Sequence, residues 1–241
     1  MARLPSHAPG SLSPDRQRVY DAIAGGRRAT GGGGGGRSGT ATGDATGAAT
    51  GDAAGAGSGA SRGLVNADGS LAGPFNAWVH APHIGERIQA VGDAMRFELT
   101  VSRRLAELAI LVVAREWKAQ FEWFAHSRMA AAAGLEADII EALRTGAEPA
   151  LRSEEDLAVY ALATELLGPA HRIPEVLYQR AVTLLGLDHV VELVNLIGYY
   201  GLVSVVLNAF AVPLPDDATA PFAEPGIAEP GIAEPGVAAQ P

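Results

Sequence analysis

Between residues 27 and 62 the sequence is almost wholly Gly, Ala, Thr and Ser, including six consecutive glycines at 31 to 36. Such a stretch has too little apolar surface to offset the entropy of ordering its backbone, so it reads as a disordered insertion. It contains a trivial match to the dinucleotide fingerprint GxGxxG, but that motif needs a strand before it and a helix after it, and the sequence offers neither. The tail from Asp216 repeats Glu-Pro-Gly-Ile-Ala, a proline spacing that suits neither helix nor sheet. The folding problem is thereby confined to a helical segment over 1–26 and a domain over 63–215. Although 48% of the 241 residues are hydrophobic, they concentrate between about residues 74 and 214, enough for one sizeable core.

Within that window the apolar spacing is helical nearly throughout and predicts an all-α fold. Ser13-Pro14-Asp15 signals a short helix reaching about Ala24, ended by Gly25-Gly26. Helices are expected over Ile84–Leu99, Ser102–Trp117, Ala119–Ala133 (ended by Gly134), Asp138–Arg144, Ser153–Leu167, Pro174–Leu185 and about Asp188–Phe210. The last is long enough to suggest a membrane span, but Glu192, Asn195 and Asn208 interrupt it, so a core or subunit-interface helix is expected and no membrane association.

A net charge of −9 and a pI near 5.1, with basic groups no denser than Arg27-Arg28 and Arg103-Arg104, argue against nucleic acid as a partner. The sequence contains no cysteine, which removes disulfides, thiolate nucleophiles and Cys-rich zinc sites. The first residues lack the apolar run of a secretory signal, so a cytoplasmic location is expected.

Three residues stand out chemically. Glu107 immediately precedes Leu108-Ala-Ile-Leu-Val-Val113 on a helix apolar on nearly every side, where an ionised carboxylate needs a partner. That partner is either an arginine on its own helix, Arg103 or Arg104, or a functional group. Glu122 and His126 are four apart and share a helix face, the spacing at which a carboxylate can fix an imidazole tautomer. Trp117, Phe121, Trp123 and Phe124 surround them, as pocket wall or as core. Glu107, Glu122 and His126 are also the one plausible metal-ligand set, but no metal or other cofactor is expected. His80 and His83 flank the Ala81-Pro82 turn and need not converge.

Arg104-Leu-Ala-Glu107, followed by Ala119-Gln-Phe-Glu-Trp-Phe-Ala-His126, resembles the carboxymuconolactone decarboxylase family, which includes the alkylhydroperoxidase D (AhpD)-like proteins. Gly73-Pro-Phe-Asn-Ala-Trp78, Gly198-Tyr-Tyr-Gly-Leu-Val and Leu207-Asn-Ala-Phe-Ala-Val-Pro-Leu-Pro215 extend the resemblance over roughly 72–215. It implies a compact helical homo-oligomer with no bound cofactor and a site near a subunit contact. In the thiol peroxidase branch a glutamate precedes a Cys-x-x-Cys-x-x-x-His run. Aligned on His126, that glutamate falls on Glu107 and the cysteines on Ala119 and Glu122, so the disulfide cycle is lost and peroxiredoxin activity could persist here in name alone. What remains is acid-base chemistry on a small-molecule substrate such as a lactone or keto acid. Catalytic Glu107, Glu122 and His126 are expected, with Arg104, Arg115 and Trp123 as substrate-binding candidates. The alternative is a non-catalytic scaffold that keeps the helical oligomer.

Overall fold

The structure, a computed structural model, describes residues 2–28 and 64–223. From residue 29 onward the expected insertion lies outside the described residues, as does the tail from residue 224.

The described residues form nine helices and one isolated β-bridge, Val65 to Leu71. They are α1 (Pro14–Ala24), α2 (Phe75–His80), α3 (Pro82–Phe97), α4 (Arg103–Glu116), α5 (Gln120–Ala132), α6 (Ala137–Thr145), α7 (Glu154–Leu167), α8 (Glu175–Leu185) and α9 (Leu187–Ala209). The fold is all-α, as the periodicity predicts.

Its centre is α4. Every residue from Ala106 to Ala114 is buried, which explains a sequence with no polar face: α5, α7 and α9 all pack on this one helix. Each fully buried Leu or Ile there contributes about 1.5–3 kcal/mol relative to exposure. The Ser102 hydroxyl caps α4 by accepting from Leu105 N, and the Ser153 hydroxyl caps α7 by accepting from Asp156 N. Ser13 does not use its hydroxyl in this way. At α1 the proline in the first turn suffices, and Gln17 N donates to the Ser13 carbonyl. Gly134 takes a φ of +87° after α5, the left-handed conformation that ends a helix at least cost on glycine.

Helix α9 buries Val190, Leu193, Leu196, Ile197, Tyr200, Val203 and Leu207 and leaves Leu187, Val191, Val194, Leu202 and Val205 exposed. It is long and apolar enough to cross a membrane, with 44% of its most apolar window buried. Val190 and Ile197 lie on the buried face while Val194, between them in sequence, faces outward. Glu192 ties α9 to the start of α4, accepting from Thr100 N at 2.9 Å and Val101 N at 2.8 Å.

Three local features differ from the sequence expectation. The stretch before Pro82 is a short helix, α2, and α3 begins at Pro82 itself. His80, at the end of α2, meets His7 of the N-terminal arm with ring centroids 4.2 Å apart. Residues 216–223, assigned with the tail, lie against the domain. Gln120 exchanges two hydrogen bonds with the Phe222 backbone, Arg144 donates to the Pro221 carbonyl, and the Phe222 ring meets Trp123 edge-on at 5.2 Å.

Candidate acid-base site

Helix α4 supplies Glu107 and α5 supplies Glu122 and His126, and the α4–α5 packing brings the three together. His126 Nδ1 lies 2.7 Å from Glu107 Oε2, and His126 Nε2 lies 3.5 Å from Glu122 Oε2. Glu107 is wholly buried, and Glu122 and His126 are each 5% exposed. The division of roles differs from the sequence expectation: Glu107, on the neighbouring helix, holds the ring through Nδ1, while Glu122 stands on the far side at Nε2. With Nδ1–H donating to Glu107, Nε2 is the nitrogen left for proton transfer.

The second oxygen of Glu107 lies 2.5 Å from Arg103 Nη2, an ion-pair contact without the angle of a hydrogen bond. Glu107 thus takes both partners that its burial demands, an arginine one turn back on α4 and the imidazole of α5. Behind His126 the Tyr200 ring of α9 stands edge-on at 4.8 Å, and Tyr199 meets Tyr200 at 5.4 Å. Neither tyrosine hydroxyl makes a hydrogen bond among the described residues. A Cβ on Gly92 would lie 2.2 Å from the Tyr199 hydroxyl and 3.0 Å from Arg28 Nη2, so glycine is what lets α9 and Arg28 close over α3.

This arrangement drives the two carboxyls apart. Burial raises the Glu122 carboxyl above the ordinary glutamate range; Glu107 pushes the same way, and His126 only partly offsets them. Burial also works to raise Glu107, but the His126 imidazole, Arg103 and Arg96 outweigh it and hold Glu107 below that range. Burial pushes the Tyr199 hydroxyl up to about 12 and raises Tyr200 as well. The surroundings thus favour the ionised form of Glu107 and the protonated form of Glu122, a division of roles by environment.

The other sequence candidates lie elsewhere. Arg104, although three residues from Glu107, turns toward α6 and α7, where it pairs with Asp156 at 2.8 Å and Glu136 at 2.7 Å. Arg115 lies two turns beyond Glu107 on α4, 3.8 Å from Glu116. Trp123 is committed to the core and to Phe222. A cavity of about 250 Å³ is lined by Arg104, Glu136, Asp138, Arg152 and Asp156 among others and includes none of the three acid-base residues. Among the described residues no group of three or more His, Asp or Glu is placed to hold a metal ion.

The sequence does not single out Arg28, Arg96, Tyr199 or Tyr200. Arg28 comes from the end of the N-terminal segment, and the tyrosines from the Gly198-Tyr-Tyr-Gly stretch that carries part of the resemblance. Arg96 is seven residues before Arg103, two turns in a continuous helix, but the break at 98–102 hides that relation.

No protein-family model matches this chain, and no curated protein does. Its fold is similar to a crystal structure of a protein of unknown function from Agrobacterium tumefaciens, suggested by its description to be the antioxidant defence protein AhpD. The TM-score is 0.53 at 15% identity, over 58% of this chain and 96% of that one. The chain therefore has an AhpD-like fold.

Proposed function

We propose that this chain is an acid-base enzyme of small organic acids or lactones, decarboxylase-like in the sense of the carboxymuconolactone decarboxylase family. It works without a cofactor and without a thiol. The carrying observation is the buried Glu107–His126–Glu122 array, whose surroundings favour the ionised form of one carboxyl and the protonated form of the other across a single imidazole. Glu107 orients the ring, His126 Nε2 accepts or returns a proton, and Glu122 supplies one. For a substrate that loses carbon dioxide, the carbon–carbon bond breaks and its electron pair stays on the substrate carbon. That carbon then takes the proton Glu122 holds. Expected homo-oligomer formation has its natural seat on the exposed face of α9, and Val194→Glu would shift the chain to monomer in analytical ultracentrifugation.

The test is hydrogen exchange between substrate and solvent, followed by NMR in heavy water with a panel of small keto acids and carboxylated γ-lactones. The wild type should exchange a proton next to a carbonyl or release carbon dioxide, and Glu122→Gln should slow this by about 10²–10⁴-fold. No exchange with any of the panel, or exchange indifferent to the substitution, would count against the reading. Reduction of an organic hydroperoxide with a dithiol donor is expected to be absent, because a thiol peroxidase cycle needs a cysteine; robust turnover would overturn that part.

The location of the 250 Å³ cavity, away from His126, favours a second reading in which the helices are an oligomeric scaffold and the three residues a structural cluster. Acid-base chemistry needs space for a substrate beside the array, so the same exchange experiment separates the two.

A further inference from the structure

Three arginines, Arg28, Arg96 and Arg103, gather around the acid-base array, and two of them pair directly with a carboxylate. Arg28 Nε donates to Asp93 at 3.1 Å, and Gln89 Nε2 donates to the same carboxylate oxygen at 3.0 Å. Arg103 pairs with Glu107. Arg96, on the last turn of α3, has no carboxylate. Its Nη1 points at the Met129 sulfur, 2.9 Å away, and its guanidinium stacks 5.7 Å from the Phe97 ring centroid. Thioether sulfur is a weak acceptor, so this partly buried guanidinium has only the longer-range attraction of Glu107 and no direct carboxylate contact to offset its lost hydration. The Glu122 carboxyl faces His126 Nε2 instead.

The position is as telling as the charge. Met129 lies one turn beyond His126 on α5, and Arg103 one turn before Glu107 on α4. Arg103 Nη2 is 3.9 Å from the same sulfur, and its Nη1 donates to the Arg96 carbonyl. Arg96 and Arg103 therefore flank Met129 about 5 Å along the helices from the Glu107–His126 pair. The Arg103 side chain is 37% exposed, so this end of the array opens to solvent while Glu107 and Glu122 stay dry.

We propose that Arg96, with Arg103 beside it, is the anion subsite of this centre and takes the carboxylate of a small organic acid whose reacting carbon lies toward His126 and Glu122. The assignment rests on the acid-base reading for what happens next, but not for the binding itself. It replaces Arg104 and Arg115, whose positions serve other contacts. A planar guanidinium offers two parallel N–H donors to a carboxylate and outcompetes a sulfur acceptor for them. Neutral substrates gain nothing there.

The experiment is calorimetric titration of the full chain with 4-oxopentanoate and with its uncharged amide. The wild type should bind the acid at least about tenfold more tightly than the amide, the size of one charge-assisted contact. Arg96→Gln should erase that preference, Arg96→Lys should retain part of it, and Arg128→Gln, an exposed arginine on α5 stacked on Phe124, should leave it intact. Equal affinities for acid and amide, no binding of the acid, or undiminished preference in Arg96→Gln would each overturn the proposal. Should Arg96→Gln fail to fold, the acid-to-amide ratio in the wild type and in Arg96→Lys decides. Glu122→Gln keeps Arg96 and should keep the preference while losing proton exchange. Binding without exchange in the wild type would thus sink the acid-base reading and leave the subsite standing.

Discussion

Arg104 and Glu107 stand three residues apart on α4 and anchor two charged clusters made on opposite terms. Around Arg104, Asp156 and Glu136 meet one guanidinium at 2.7–2.8 Å. They push its pKa upward, Asp156 through the largest effect, so that the guanidinium is directly paired on two sides. Around Glu107 the acids are driven in opposite directions, Glu122 toward its protonated form in a nearly dry site, and the Arg96 guanidinium donates to a sulfur. A satisfied cluster explains itself by holding α4 to α6 and α7. A cluster that sets two acids against each other and leaves a guanidinium on sulfur, this deep in a core, is costly to hold, which is the physical reason to assign chemistry to it. The same contrast separates residues that sequence alone treats alike: both clusters begin as an arginine and acids near one helix.

The sharpest way to break the comparison is to neutralise one acid in each cluster and read activity. Glu122→Gln should lower proton exchange by about 10²–10⁴-fold, whereas Asp156→Asn should leave it within about threefold among molecules that remain folded, the residual change coming from α4 itself. Equal losses would mean that the Arg104 cluster belongs to the site. Stability should sort differently. Glu107→Gln leaves Arg103, Arg96 and His126 around a neutral amide and should cost about 3–5 kcal/mol in urea unfolding, as breaking a buried pair does. Asp156→Asn, whose Arg104 partner keeps Glu136 and some solvent, should cost about 1–3 kcal/mol. A smaller cost at Glu107 than at Asp156 would reverse the ranking and point to a softer, wetter site.

Most of the fold can be read in the sequence, because eight of the nine helices among the described residues announce themselves by apolar period, caps and glycine stops. Helix α2 does not, being too short for a period, and Pro82 reads as a turn where it is in fact the first residue of α3. The site is legible in part and for a clear reason. Glu122 and His126 sit four apart on one helix, a local relation, and Glu107 betrays itself as a charge in an apolar run. Arg96, Arg28 and Tyr200 reach the array from α3, the N-terminal segment and α9. No spacing encodes those approaches, since they depend on tertiary packing. Arg104 turns away from the array for the same reason: its helix phase is known from sequence, but not the presence of Asp156 on α7 to pair with it. The docking of Phe222 on Trp123 is equally nonlocal, 99 residues apart in a stretch whose composition alone reads as tail.

The smallest effect is the most diagnostic of the opposed acids. Glu122 has its folded pKa raised above the reference 4.5, so its proton-linked contribution is complete below about pH 4.5 and is lost as pH rises through the folded value. Glu107, with its folded pKa lowered, contributes fully above about pH 4.5 and loses that contribution as pH falls. Glu122→Gln removes the first linkage and leaves the second. Measured by urea midpoints between pH 4 and 8, the variant should gain on the wild type as pH rises, by at most about 1.4 kcal/mol per pH unit, the limit for one proton. The gain should level off above the folded Glu122 pKa, while on the acid side both proteins weaken together as Glu107 is titrated. A difference that stays flat across the range would mean that Glu122 loses its proton as readily in the fold as in the open chain, and the division of labour between the two glutamates would fall with it.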